Sequence, residues 1–147
     1  MSRPPLGARS AERKPAGAST SSRWAYGLAA LLAVAGTTHF AVPRFYDAIV
    51  PHRMPGSPRG WTLVSGAVEL ACAASVAHPR TRRLGATAAA VLFVVVFPAN
   101  VQMAVDWHSR PLPDRLIAYG RLPLQIPLVI WALKVRTGHG RRAATSP

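Results

Sequence analysis

Leu84–Val105 reads LGATAAAVLFVVVFPANVQMAV, and its reading decides the fold. It runs 22 residues without a charged side chain. A helix of that length rises about 33 Å, enough to cross roughly 30 Å of hydrocarbon. A soluble helix rarely stays apolar for so long, because polar surface elsewhere must cover it. Working outward, Trp61–Ala77 precedes this block, Leu116–Val135 follows it, and Trp24–Val42 comes first. Trp61–Ala77 is the weakest of them. It carries Glu69 near its centre and is rich in Ala, Ser and Gly, small residues that suit close packing between membrane helices. Together the four blocks predict an all-α polytopic membrane protein, a four-transmembrane-helix bundle. Its helices are expected at about 24–42, 61–77, 84–105 and 116–135, within a domain spanning 23–136. The flanks, 1–22 and 137–147, are basic and without hydrophobic pattern, and read as disordered tails. Ala33-Val34-Ala35 before Gly36 resembles a signal-peptide cleavage site, but the stretch ahead of the first block is long for an n-region, so that block reads as a retained span.

Composition agrees. Of 147 residues only 16% are charged, against about 25% in an average soluble domain. Lys and Arg number 18 and Asp and Glu 5, for a net charge of +13. A single cysteine excludes an internal disulfide, a CxxC redox centre and a Cys-rich zinc site. The positive charge is unevenly placed. Arg3, Arg9, Arg13, Lys14, Arg23, Arg80, Arg82, Arg83, Lys134, Arg136, Arg141 and Arg142 fall on one side of a four-span topology. Arg44, Arg53, Arg59, Arg110 and Arg115 fall on the other, and Arg121 lies within the fourth block. The positive-inside rule then puts both termini in the cytoplasm, with the chain in the cell membrane. Basic tails lying on anionic lipid account for the charge, and no nucleic-acid partner is expected.

The first outer loop, Val42–Gly60, places Phe45, Tyr46, Ile49 and Val50 at helical spacing between Pro43 and Pro51. That suggests a short amphipathic turn at the outer interface, with an ordinary Pro-rich connector as the plainer reading. Trp24, Trp61, Trp107 and Trp131 stand near helix ends, where interfacial aromatics gather.

Depth organises the polar residues. At 1.5 Å per residue, Glu69 lies about 12 Å below the outer end, Gln125 about 13 Å, Arg121 and Asn100 about 7–8 Å, and His39 about 4–5 Å. Every span therefore brings a polar group into the outer half. On the second helix, Thr62, Ser65, Gly66, Glu69, Cys72 and Ala73 form one small, polar stripe suited to facing inward, with Leu63, Val64 and Leu70 away from it. Arg121 and Gln125 share a face of the fourth helix. A lone charge at mid-membrane costs about 2.5–3.5 kcal/mol on insertion scales, which predicts a Glu69–Arg121 salt bridge with Asn100 and Gln125 completing its hydrogen bonds. Pro98, Pro123 and Pro127 free backbone carbonyls beside this cluster and favour a small cavity there. His39, Glu69 and either His52 or His108 are the residues a metal would draw together, but no ligand spacing supports this, and none is assigned. His78 and His139 sit on the cytoplasmic side, apart from the cluster. Cys72 reads as a packing residue.

Several motifs occur in a characteristic order: Gly36-x-x-His39-Phe40, Pro43-x-Phe45, Ile49-Val50-Pro51, Ser65-Gly66-x-x-Glu69, the Pro79–Arg83 turn, Phe97-Pro98-Ala99-Asn100 and Arg121-Leu122-Pro123-Leu124-Gln125. In these the chain resembles the DoxX-like family of small bacterial four-helix membrane proteins, over about residues 24–135. It departs from that family at Ala71-Cys72-Ala73-Ala74, where a Gly-rich stretch is common, and at the polar His52-Arg53-Met54. The resemblance implies an accessory or quinone-proximal subunit of a membrane redox system, with an oxidoreductase partner, a quinone as ligand and no covalently bound cofactor. The residues also admit a structural membrane protein whose polar cluster only fixes packing, and a small transporter that would need to be a homo-oligomer. No nucleotide loop, haem ligand pair or redox dithiol marks the chain as an enzyme.

Overall fold

A computed structural model describes residues 20–51 and 54–138. Among them are six helices and no strand: α1 (Thr20–Ala41), α2 (Pro43–Asp47), α3 (Pro58–Ala77), α4 (Arg82–Val95), α5 (Phe97–Asp106) and α6 (Leu112–Gly138). Four stretches are long and apolar enough to cross a membrane: α1, α3, α4 together with α5, and α6. The protein is thus an all-α bundle of four membrane-length spans. The start of α1 and the end of α6 meet at what is here termed the terminal end; α2 and the α5–α6 link lie at the far end.

The helices outrun their apolar cores because local capping extends them. Ser57 accepts a hydrogen bond from the Gly60 N–H at 3.1 Å and Pro58 occupies the first turn, so α3 starts three residues before Trp61. Asp114 lies in the first turn of α6, which starts at Leu112 rather than Leu116. Of the flanks expected to be disordered, 1–19 and 139–147 lie outside the described residues. Thr20–Ser22 and Thr137–Gly138 are helical and extend α1 and α6.

Alanine fills the interior and large aliphatics face out. Ala25, Leu28, Ala29, Leu32, Gly36 and His39 make one buried stripe on α1 at three- and four-residue spacing. Val34, Val64, Leu84, Val95, Leu116 and Ile126 are exposed. In water that distribution would be costly; against lipid, small residues let helices approach while large ones meet the acyl chains. The expected α3 stripe is buried or half-buried throughout. Leu70, expected to face away, is half-buried beside Gly36. The α1–α3 crossing is made by glycines: a Cβ on Gly36 would come 2.9 Å from the Gly66 carbonyl oxygen, and one on Gly66 would come 2.7 Å from His39 Cβ.

Two apolar clusters result. One, near the terminal end, joins Leu28, Leu32, Val76, Ala89, Phe93 and Ala132 with their neighbours. The other, near the far end, joins Met103, Ala104, Trp107 and Ala118 with Ile49 and Leu122 against them. Along the third and fourth spans, Asn100 and Gln125 fall between these clusters. Trp107 corrects the expectation of an interfacial belt: it is 3% exposed and belongs to the far core. The predicted short turn in the first loop forms as α2; its Tyr46 packs inward on His39, while Phe45 stays exposed and meets Trp107 edge to face. The third span is split at Val96, two residues before Pro98, where the missing N–H and the ring's clash with the preceding turn end α4. Pro123 and Pro127 lie inside an unbroken α6.

Candidate functional site

His39 sits in the last turn of α1. Its Nδ1 lies 2.9 Å from the Ala35 carbonyl oxygen, one turn earlier, so Nδ1 carries hydrogen and donates to it. The same nitrogen is 3.3 Å from Glu69 Oε2 on α3. Tyr46 of α2 stacks on the imidazole, with ring centroids 3.7 Å apart and planes 23° from parallel. Thr38 donates to the Ala35 carbonyl at 2.7 Å, which commits its hydrogen; the Tyr46 hydroxyl, 2.6 Å from Thr38 Oγ1, is therefore the donor in that pair. A network of Thr38, Tyr46 and the α1 backbone thus fixes the imidazole plane.

Glu69 lies beside this ring with Oε2 buried and without a hydrogen-bond partner. The predicted Glu69–Arg121 salt bridge does not form: the ion pairs among the described residues are His39–Glu69, Arg59–Asp47 and Arg110–Asp114. Arg121 donates from Nε to Asn100 Oδ1 at 3.2 Å instead. Its charge still reaches both Glu69 and His39 electrostatically, and its terminal nitrogens have no hydrogen-bond partner among the described residues. The guanidinium found a neutral acceptor on the adjacent α5 in place of the carboxylate.

Asn100 passes the chain on. Its Nδ2 donates to Gln125 Oε1 at 3.2 Å, and Gln125 Nε2 donates to the Phe93 carbonyl at the α4–α5 break. Asn100 and Gln125 are both buried. The five predicted site residues thus fall into two groups. Arg121, Asn100 and Gln125 form a connected line that ends on the backbone where the third span is interrupted. His39 and Glu69 face each other across the α1–α3 glycine crossing.

Sequence reasoning missed the layer above the site. Asp47, the last residue of α2, accepts from Arg59 Nε at 2.9 Å and from Thr62 Oγ1 at 2.7 Å. These bonds, Arg59 first, hold its carboxyl below the usual carboxylate range. They tie α2 across the start of α3, with Tyr46 over His39. The signal available was weak: one acid at the end of a five-residue helical pattern. Arg82, counted only as a positive-inside charge, is 4% exposed; it donates to the Val76 and Ala77 carbonyls at 3.0 and 3.1 Å and lies over the Tyr26 ring. It caps the end of α3.

Among the described residues no three His, Cys, Asp or Glu side chains converge as metal ligands. His108 is exposed, with Nδ1 2.8 Å from the Val105 carbonyl oxygen; His52 and His139 lie outside the described residues.

A family model described as a domain of unknown function, DUF8561, matches residues 28–136. The chain belongs to the DUF8561 family. No curated protein and no solved structure matches it. The DUF8561 match takes in His39, Glu69, Asn100, Arg121 and Gln125 and most of each span, so the polar layer belongs to the family domain and not to a flanking addition.

Proposed function

We propose that this protein is a multi-pass protein of the cell membrane, with both termini cytoplasmic, that holds the polar ring of a quinone-sized amphipathic molecule beside His39, Glu69 and Arg121. In this reading it is an accessory, quinone-proximal subunit of a membrane redox system and works with an oxidoreductase partner. One observation carries the ligand reading: a buried carboxylate oxygen with no hydrogen-bond partner, 3.3 Å from a His39 nitrogen already committed to Ala35, stands within electrostatic reach of a guanidinium whose terminal nitrogens have no hydrogen-bond partner among the described residues. Leaving the Glu69 oxygen unpaired in a low-dielectric interior is costly, and a ligand with both kinds of hydrogen-bonding group would pair it and accept from Arg121 as well. A quinone fits this donor set. Its carbonyl oxygens accept from Arg121, and the hydroxyls of its reduced form donate to Glu69. His39, held in plane by Ala35 and Tyr46, presents Nε2 as the free ring nitrogen. The redox assignment rests on the DoxX-like resemblance.

The second reading, a purely structural cluster, is favoured by the line from Arg121 through Asn100 and Gln125 to Phe93, in which Asn100 and Gln125 already have partners. We assign that line to packing and the His39–Glu69–Arg121 side to binding. The test is titration of the detergent-purified protein with decylubiquinone, read by quenching of tryptophan fluorescence, alongside analysis of co-purifying quinones. Saturable binding weakened about tenfold or more by Arg121→Leu and by Glu69→Gln supports the proposal. Binding that is absent, or the same in both variants, overturns it.

A further inference from the structure

The terminal end carries a second feature that the polar layer does not use. Trp131 on α6 donates its indole N–H to the Trp24 carbonyl at 3.1 Å, and the two rings meet edge to face with centroids 6.0 Å apart. Gly27 permits this approach, since a Cβ there would lie 3.0 Å from the Trp131 ring. The tryptophan pair forms a ridge that borders two hollows. One hollow, about 480 Å³, includes Arg23 and Gly27 in its lining; the other, about 550 Å³, runs along Pro127, Ile130 and Lys134. From Pro127 to Lys134 the larger hollow follows roughly 10 Å of helix. Its wall is apolar and its rim is basic.

The charge around it is one-sided. Among the described residues the carboxylates are Asp47, Asp106 and Asp114 toward the far end and Glu69 in the middle of α3, with none at the terminal end. Arg23 and Lys134 have no acidic partner among the described residues. We infer that this ridge and its hollows bind one anionic phospholipid, with an acyl chain along Pro127 and Ile130 and the phosphate between Lys134 and Arg23. Charge complementarity argues for an anionic headgroup, and the apolar wall at membrane depth argues for a lipid. Tryptophan beside basic residues at a span's end is the chemistry that holds a headgroup at the boundary.

The test uses the full chain in mild detergent, titrated with a short-chain phosphatidylglycerol and with phosphatidylcholine of the same chain length, and read by tryptophan fluorescence. Phosphatidylglycerol is expected to bind saturably and more tightly. The double variant Arg23→Gln, Lys134→Gln should weaken it about thirty-fold, taking about 1 kcal/mol per cation. Ile130→Trp, which fills the larger hollow and keeps both cations, should weaken both lipids. Arg83→Gln, an exposed arginine at the same end but outside the hollows, should leave binding unchanged. Equal binding of the two lipids overturns the inference. So does an Arg83→Gln loss as large as the double variant's, or full competition by inorganic phosphate alone.

Discussion

Asn100 and Glu69 lie in the same polar layer and differ in how they are satisfied. Asn100 accepts from Arg121 and donates to Gln125, so Asn100→Leu strands Gln125 Oε1 in a buried setting. A loss of about 1–3 kcal/mol is expected, seen as a lower unfolding temperature in detergent. Glu69 has no ion pair with Arg121 to lose, and the His39 nitrogen beside it is committed to Ala35, so Glu69→Gln should leave that temperature unchanged or raise it while decylubiquinone binding falls. A clear drop in stability would return Glu69 to a packing role. Asp47 gives a pH test. Its folded value lies below its ordinary 3.8 because Arg59 and Thr62 hydrogen-bond the charged form. The stabilisation from these bonds is therefore fully present above that ordinary value and is lost as pH falls through the lowered one. Protease cleavage in the 48–57 loop should stay slow from neutral pH down to about 4 and quicken below it, and Asp47→Asn should cleave faster already at pH 7. That Arg121, Asn100 and Gln125 lie close together was legible because helix rise is fixed. Their pairing was not, since hydropathy does not set the rotation that lets Arg121 choose Asn100 over Glu69.

At the level of elements, the α1–α3 contact depends on two residues without side chains. Gly66→Ala puts a methyl group 2.7 Å from His39 Cβ and 2.8 Å from the Phe40 ring. Overpacking of this kind costs about 1–3 kcal/mol, and here it also pushes His39 from Glu69. Gly66→Ala should therefore lower both the unfolding temperature and quinone affinity, whereas Gly120→Ala, with open space around it, should change neither. The number of spans was readable from block length alone. Their ends were not, because Ser57 with Pro58, and Pro113 with Asp114, start helices outside the apolar runs. Proline content was equally ambiguous. Pro98 coincides with a split span and Pro123 with an intact one, and the Phe93 carbonyl at the split finds its donor in Gln125, which is 25 residues away from Asn100 in sequence and beside it in space. No local pattern encodes that contact.

For the whole molecule, sidedness is the property most directly open to measurement. Cys72 is buried, so the native chain gives little background to thiol labelling. Cysteine introduced as Ser109→Cys, at the far end, should react with a membrane-impermeant maleimide added outside intact cells; Thr137→Cys, at the terminal end, should react only after the membrane is opened. The reverse pattern would invert the proposed topology. The expected sidedness rests on the unequal sharing of basic residues between loops, while Arg82 shows that one of them serves a helix end. The short helix α2 has a further consequence. Tyr46 roofs the imidazole, and Asp47 fastens that roof to Thr62 and Arg59, so one face of the ring is covered. Under the proposed function, a visitor to His39 is expected to arrive sideways, between spans and out of the oil, so that solubility in that oil becomes the first filter on what the visitor can be.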